Sequence, residues 1–145
     1  MILDNQAILS DKQAIVATAN STNVIDLQPA GKTYNNVQLI RNVGKMPIPF
    51  LVSVNEAFNN LTSLTVIIQG SVDEAFTTPK NIVSFTMPLA DLKVGAKIPY
   101  DILPTEIKGL RYLRTRYEVV GTAPSTGKVT AGVVGAVDEG YYGNV

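Results

Sequence analysis

Residues 10–19 read SDKQAIVATA, and two periodicities compete for them. Ser10 followed three residues later by Gln13 has the spacing of a capping box, the signature of a helix start. The residues after Gln13 point elsewhere. Ile15, Ala17 and Ala19 alternate with Val16 and Thr18, a period of two, and β-branched residues favour the pleated surface of a sheet. The alternation outweighs the isolated pair, so a strand is expected over 14–19 and the Ser10–Gln13 spacing is set aside.

The rest of the chain repeats that character. VIDL at 24–27 is extended until Pro29-Ala30-Gly31 breaks it. VQLIRNV at 37–43 is a strand candidate closed by Gly44 and Pro47. In PFLVSVNEAF at 49–58, Phe50, Val52 and Val54 share one face, the better candidate for the core, while Leu51, Ser53 and Asn55 share the other. Leu64, Val66 and Ile68 alternate in 61–70. Further strands are expected at 82–89, 96–103, 110–121 and 128–138. With Gly, Pro and Asn turns between them and no helical window, the reading is an all-β fold: an antiparallel β-sandwich of the jelly-roll kind with about eight strands. Residues 1–12 precede the first expected strand and 139–145 follow the last. They are read as an N-terminal arm and a C-terminal tail around a single domain at 13–138.

Composition narrows the chemistry. The chain of 145 residues has twelve basic and twelve acidic residues, which cancel, so it lacks the positive field of a nucleic-acid binder. It has neither Cys nor His. Thiolate chemistry, disulfides, Cys- or His-based metal sites and Ser-His-Asp devices are thereby excluded. No catalytic residue, cofactor or metal is expected. No stretch reaches the roughly 18 apolar residues of a membrane span. Asp4, Asp11 and Lys12 interrupt what would be a signal peptide, so synthesis and use in a cytoplasm are expected.

Local motifs dissolve on inspection. Ala30-Gly31-Lys32-Thr33 lacks the earlier Gly of a phosphate loop, with Asp26 standing in its place. Ser125-Thr126-Gly127-Lys128 matches Ser-x-x-Lys without its companion motifs and sits in a hairpin turn. Asp73-Glu74 and Asp138-Glu139 are neighbours that point to opposite faces of an extended chain, and read as solvated loop charges. LRYLRTRYEVV at 110–120 is more informative. Leu113, Thr115, Tyr117 and Val119 share one face; Tyr112, Arg114, Arg116 and Glu118 share the other, with Arg111 at the strand's start. Adjacent arginines repel unless carboxylates meet them. Those carboxylates could be internal, such as Glu118, or could belong to another subunit. Both remain open at this point. Tyr141 and Tyr142, between glycines, are candidate anchors on a partner.

Taken in order, ILDNQAILSDKQAI, ANSTNVIDL, PFLVSVNEAF, LTVIIQGSVDEAFTTPKNIVSFTMPLADLKVGAKI and LRYLRTRYEVVGTAPSTGKVTAGVV resemble the Bbp16-like capsid cement (decoration) proteins of short-tailed bacteriophages. The likeness spans nearly the whole chain and carries no catalytic signature. It implies a homo-oligomeric jelly-roll protein on the outer surface of the virion, bridging major capsid protein subunits of the HK97-like fold without covalent bonds. The residues expected to make subunit or capsid contacts are Ile2, Leu3, Ile8 and Leu9 of the arm, Arg111, Arg114 and Arg116, and Tyr141 and Tyr142. On this reading, removing 1–12 would weaken attachment and leave the sandwich folded. Two other classes compete. One is a non-catalytic carbohydrate- or protein-binding sandwich, disfavoured by the lack of Trp. The other is a carboxylate enzyme, disfavoured because its acids sit in apparent turns.

Overall fold

The computed structural model describes residues 2–37, 48–102 and 109–136. Its first strand, β1 (Ile2–Ala14), lies where an arm was expected. It pairs antiparallel with β9 (Lys128–Ala136), from Ile2 opposite Ala136 to Ala14 opposite Lys128. The arm over 1–12 is therefore corrected: from Ile2 onward this segment is a strand of the sandwich. The reason it escapes a period-of-two reading is visible in the register, which slips between Leu3 and Ile8, between Ile8 and Ser10, and between Ser10 and Gln13. Each irregularity shifts the side chains to the other face, so no alternation survives in the sequence.

The strand expected at 14–19 is likewise corrected. Residues 16–18 form a bend, and within 14–19 the chain is extended only at Ala14, the end of β1, and at Ala19, where β2 (Ala19–Asn20) begins. Ile15 turns inward and is fully buried, while Val16 is exposed, so the alternation there is that of a corner between sheets. The remaining strands are β3 (Ile25–Asp26), β4 (Ile48–Glu56), β5 (Leu61–Ser71), β6 (Lys80–Pro88), β7 (Lys97–Ile102) and β8 (Tyr112–Gly121). A single 3-10 turn, Leu89–Asp91, follows β6. Apart from Val37, the strand candidate at 37–43 lies outside the described residues, as does the tail at 139–145.

Two antiparallel sheets result, with orders β1-β9-β4-β7 and β2-β8-β5-β6, β3 pairing beside β2 on β8. The pairings β1 with β9, β2 and β3 with β8, β4 with β7, and β5 with β6 follow one long two-stranded ribbon from its open end to its β5–β6 hairpin. Wrapping the ribbon brings β4 against β9 and β5 against β8. This is a jelly roll, in which β2 and β3 act as one interrupted strand.

The inner faces carry the core. Phe50, Val52 and Val54 of β4 pack with Val129 and Ala131 of β9 against Leu64, Val66 and Ile68 of β5 and Tyr117 of β8. The face of β4 chosen from its sequence is the one buried. Leu51, on the opposite face, is buried too, at 1% exposure. Gly127, at φ +138°, closes the β8–β9 turn over the Phe58 ring, where a Cβ would meet ring carbon at 2.3 Å. Only glycine fits there.

Candidate functional site

The outward face of the five-stranded sheet holds the arginines. Antiparallel register sets Arg114 opposite Gln69 and Arg116 opposite Ile67, with Thr115 and Tyr117 turned inward between them. Ile67 and Gln69 are buried although they face outward, because long Arg stems cover apolar sheet surface while their heads reach outward.

The three arginines differ in what neutralises them. Arg111 grips Asp26 of β3 through two parallel bonds, Nε to Oδ1 at 2.9 Å and Nη2 to Oδ2 at 2.7 Å. This fork pins β3 to the start of β8. The Arg111 guanidinium also lies 4.9 Å from the Tyr112 ring centroid. Arg116 Nε donates to Glu118 Oε1 at 2.9 Å, the internal partner that strand spacing suggested. Arg114 has neutral partners alone among the described residues. Its Nε donates to Gln69 Oε1 at 2.9 Å, and its guanidinium carbon stands 4.2 Å from the centroid of the Phe76 ring. Burial, and then the neighbouring Arg116 charge, push the Arg114 pKa below its ordinary value.

Phe76 and Gln69 are the residues that the sequence reading missed. Gln69 is locked by donating to Asn81 Oδ1 at 2.8 Å. Phe76 comes from the loop after β5, at φ +53°, and is buried. Asp73 organises that loop. It accepts from Ser71 Oγ at 2.9 Å, and from the Thr77 amide and hydroxyl at 2.9 Å each. The Thr77 amide foremost holds the Asp73 carboxyl below its ordinary range. The expectation of a merely solvated Asp73 is corrected: its carboxylate is a turn organiser. The signal in the sequence was Asp73 followed four residues later by Thr77.

A second polar constellation lies between the sheets. The Ser10 hydroxyl donates to Gln13 Oε1 at 2.7 Å and sits 2.7 Å from the Tyr117 hydroxyl, which therefore donates to it. Gln13 in turn receives the Thr22 amide at 3.0 Å and donates to the Asn20 carbonyl at 2.8 Å. The Ser10–Gln13 spacing thus marks a real side-chain bond in a strand. Ser10 and Tyr117 are both fully buried, and burial pushes the tyrosine pKa up to about 12. This network ties β1 to β8 across the core.

The other N-terminal contact candidates divide. Leu9 is 1% exposed within the core, so a role on a partner surface is corrected; a core side chain has no free area to offer. Ile8 is half-buried opposite Gly132. Leu3 and Leu51 line a groove of about 150 Å³ on the outer face of the four-stranded sheet, with Ser53, Asn55, Thr130 and Lys12 around it. The Lys12 amide donates to Thr130 Oγ1 at 3.0 Å, and that hydroxyl donates to Asn55 Oδ1 at 2.7 Å, so Thr130 and Asn55 serve one another. The side chain of Ile2 and the residues Tyr141 and Tyr142 lie outside the described part of the structure.

No curated protein matches the chain. A family comparison does: the Bbp16 family model matches residues 9–137, from the core residue Leu9 of β1 through the end of β9. The chain belongs to the Bbp16 family.

Proposed function

We propose that this protein is a noncovalent cement of a bacteriophage head. It sits on the outer surface of the shell, bridges major capsid protein subunits of the HK97-like fold, associates with further copies of itself, and acts by contact without turning over a substrate. The observation that carries this reading is membership of the Bbp16 family over residues 9–137, joined to a jelly roll that fits a phage structural protein. The side chains support it. Arg111 and Arg116 are spent on ion pairs, Asp73 on a turn and Tyr117 on an inter-sheet bond, each serving the rigidity of the fold. A rigid body repeated over a symmetric shell needs only modest affinity per contact, because copies that bridge subunits bind multivalently.

The direct test mixes purified protein with heads assembled without it and sediments the two together. Saturable cosedimentation at a fixed ratio to the capsid protein is the expected result. Absence of binding at micromolar protein would refute the proposal.

A further inference from the structure

We infer that Arg114 is a pre-set receptor for a carboxylate on the acidic surface of a capsid subunit, and that the outward face of β8 and β5 is accordingly the face turned to the shell. This rests on the reading of the protein as a head cement.

Three observations carry it. First, among the described residues Arg114 is the arginine of this face whose charge no carboxylate meets. Arg111 and Arg116 each contact a carboxylate, whereas the partners of Arg114 are an amide and an aromatic ring. Second, the guanidinium is held in place before any partner arrives. Gln69, itself fixed by Asn81, fastens Nε, and the Phe76 ring lies against the guanidinium, its centroid 4.2 Å from the guanidinium carbon. Those contacts use Nε and the π-face. The terminal Nη1 and Nη2 donors make no hydrogen bond to the described residues, and they form the fork that takes both oxygens of a carboxylate. A guanidinium already ordered loses little further entropy on binding. Third, Arg116 repels Arg114 from the neighbouring outward position, and a carboxylate docked between them offsets that repulsion.

The occupant is acidic protein and not nucleic acid. Among the described residues Arg114 is the arginine of this face without a carboxylate partner, Glu118 lies on the same face, and the chain as a whole has no net charge, which is far from the phosphate-matching stripe of a polyanion site. Planar bidentate recognition also distinguishes this site from a diffuse positive patch, since lysine could supply charge but not the fork.

The test compares Arg114→Glu, Arg114→Met and Arg111→Gln in cosedimentation with heads, each checked by thermal unfolding. Arg114→Met keeps the apolar stem against Phe76, so a folded variant is available even if reversal of charge perturbs the sheet. Both Arg114 variants are expected to lose at least tenfold in head affinity and to flatten its salt dependence, while Arg111→Gln lowers the melting temperature and leaves the affinity per folded molecule within threefold. Zero-length carbodiimide coupling of heads decorated with Arg114→Lys should join the new amine to an Asp or Glu of the capsid protein, read by mass spectrometry. Unchanged affinity in folded Arg114→Met overturns the inference while wild-type binding upholds the cement reading. Coupling to a second copy of this chain, or to no capsid carboxylate, also overturns it. If wild-type protein fails to bind heads, the cement reading itself falls.

Discussion

Tyr117 shows how a single residue can hold two sheets in register. Its ring is part of the core, and its hydroxyl reaches Ser10 on the opposite sheet. Tyr117→Phe keeps the ring and removes the donor, and should cost about 1–2 kcal/mol in chemical denaturation. The sign of its pH dependence follows from burial. A hydroxyl raised from 10 to about 12 stays protonated in the folded state after the unfolded one has ionised. Its stabilising contribution is full below pH 10 and is lost as pH rises toward 12. Tyr117→Phe should therefore flatten the loss of stability over that window, and an unchanged slope would contradict the assignment. Asp73 behaves oppositely. Its lowered pKa means that its contribution is present above pH 3.8 and disappears as pH falls below that value. Asp73→Ala should unfold at lower denaturant than wild type at pH 7, with the gap closing in acid. A gap that persists at pH 2 would show that the loop draws its order from elsewhere.

At the scale of elements, β1 is where local sequence and tertiary structure part company. Strands β4, β5 and β8 were legible because the register holds over a long stretch, Phe50 to Val54 against β9 and Ser63 to Ser71 against β8, and the period of two survives there. In β1 the register slips three times within the stretch from Leu3 to Gln13, and the segment reads as an unpatterned arm. The bend at 16–18 made the converse error, since Ile15 and Val16 alternate about a corner as they would along a strand. Gly132 on β9 is the partner that makes room for this irregular strand. A Cβ there would meet the Ala7 carbonyl at 2.8 Å and the Ile8 Cα at 3.0 Å. Gly132→Val should thus push β1 off its neighbour. Leu9→Ala should cost about 2–5 kcal/mol, because its side chain fills the core. Removal of residues 2–9 is expected to abolish cooperative unfolding. A truncated protein with a wild-type melting transition would restore the arm.

For the whole molecule, composition fixed what chemistry was out of reach and topology fixed the shape, but neither separates surfaces that face a partner from those that face water. The arginine strand illustrates the division. Its outward face was legible in LRYLRTRYEVV, as was the Glu118 partner of Arg116. The fates of Arg111 and Arg114 were not, because Asp26, Gln69 and Phe76 come from distant positions that only the roll brings together. A body braced in this way, by the Arg111–Asp26 fork at a strand end and a hydrogen bond through its core, suits the proposed load-bearing role between capsid subunits. The most direct measurement is the temperature at which heads rupture, with and without saturating protein. The account predicts that decorated heads survive to a higher temperature and that Arg114→Met, bound more weakly, confers less of the gain at equal concentration. Heads that rupture at the same temperature whether or not the protein is bound would contradict it.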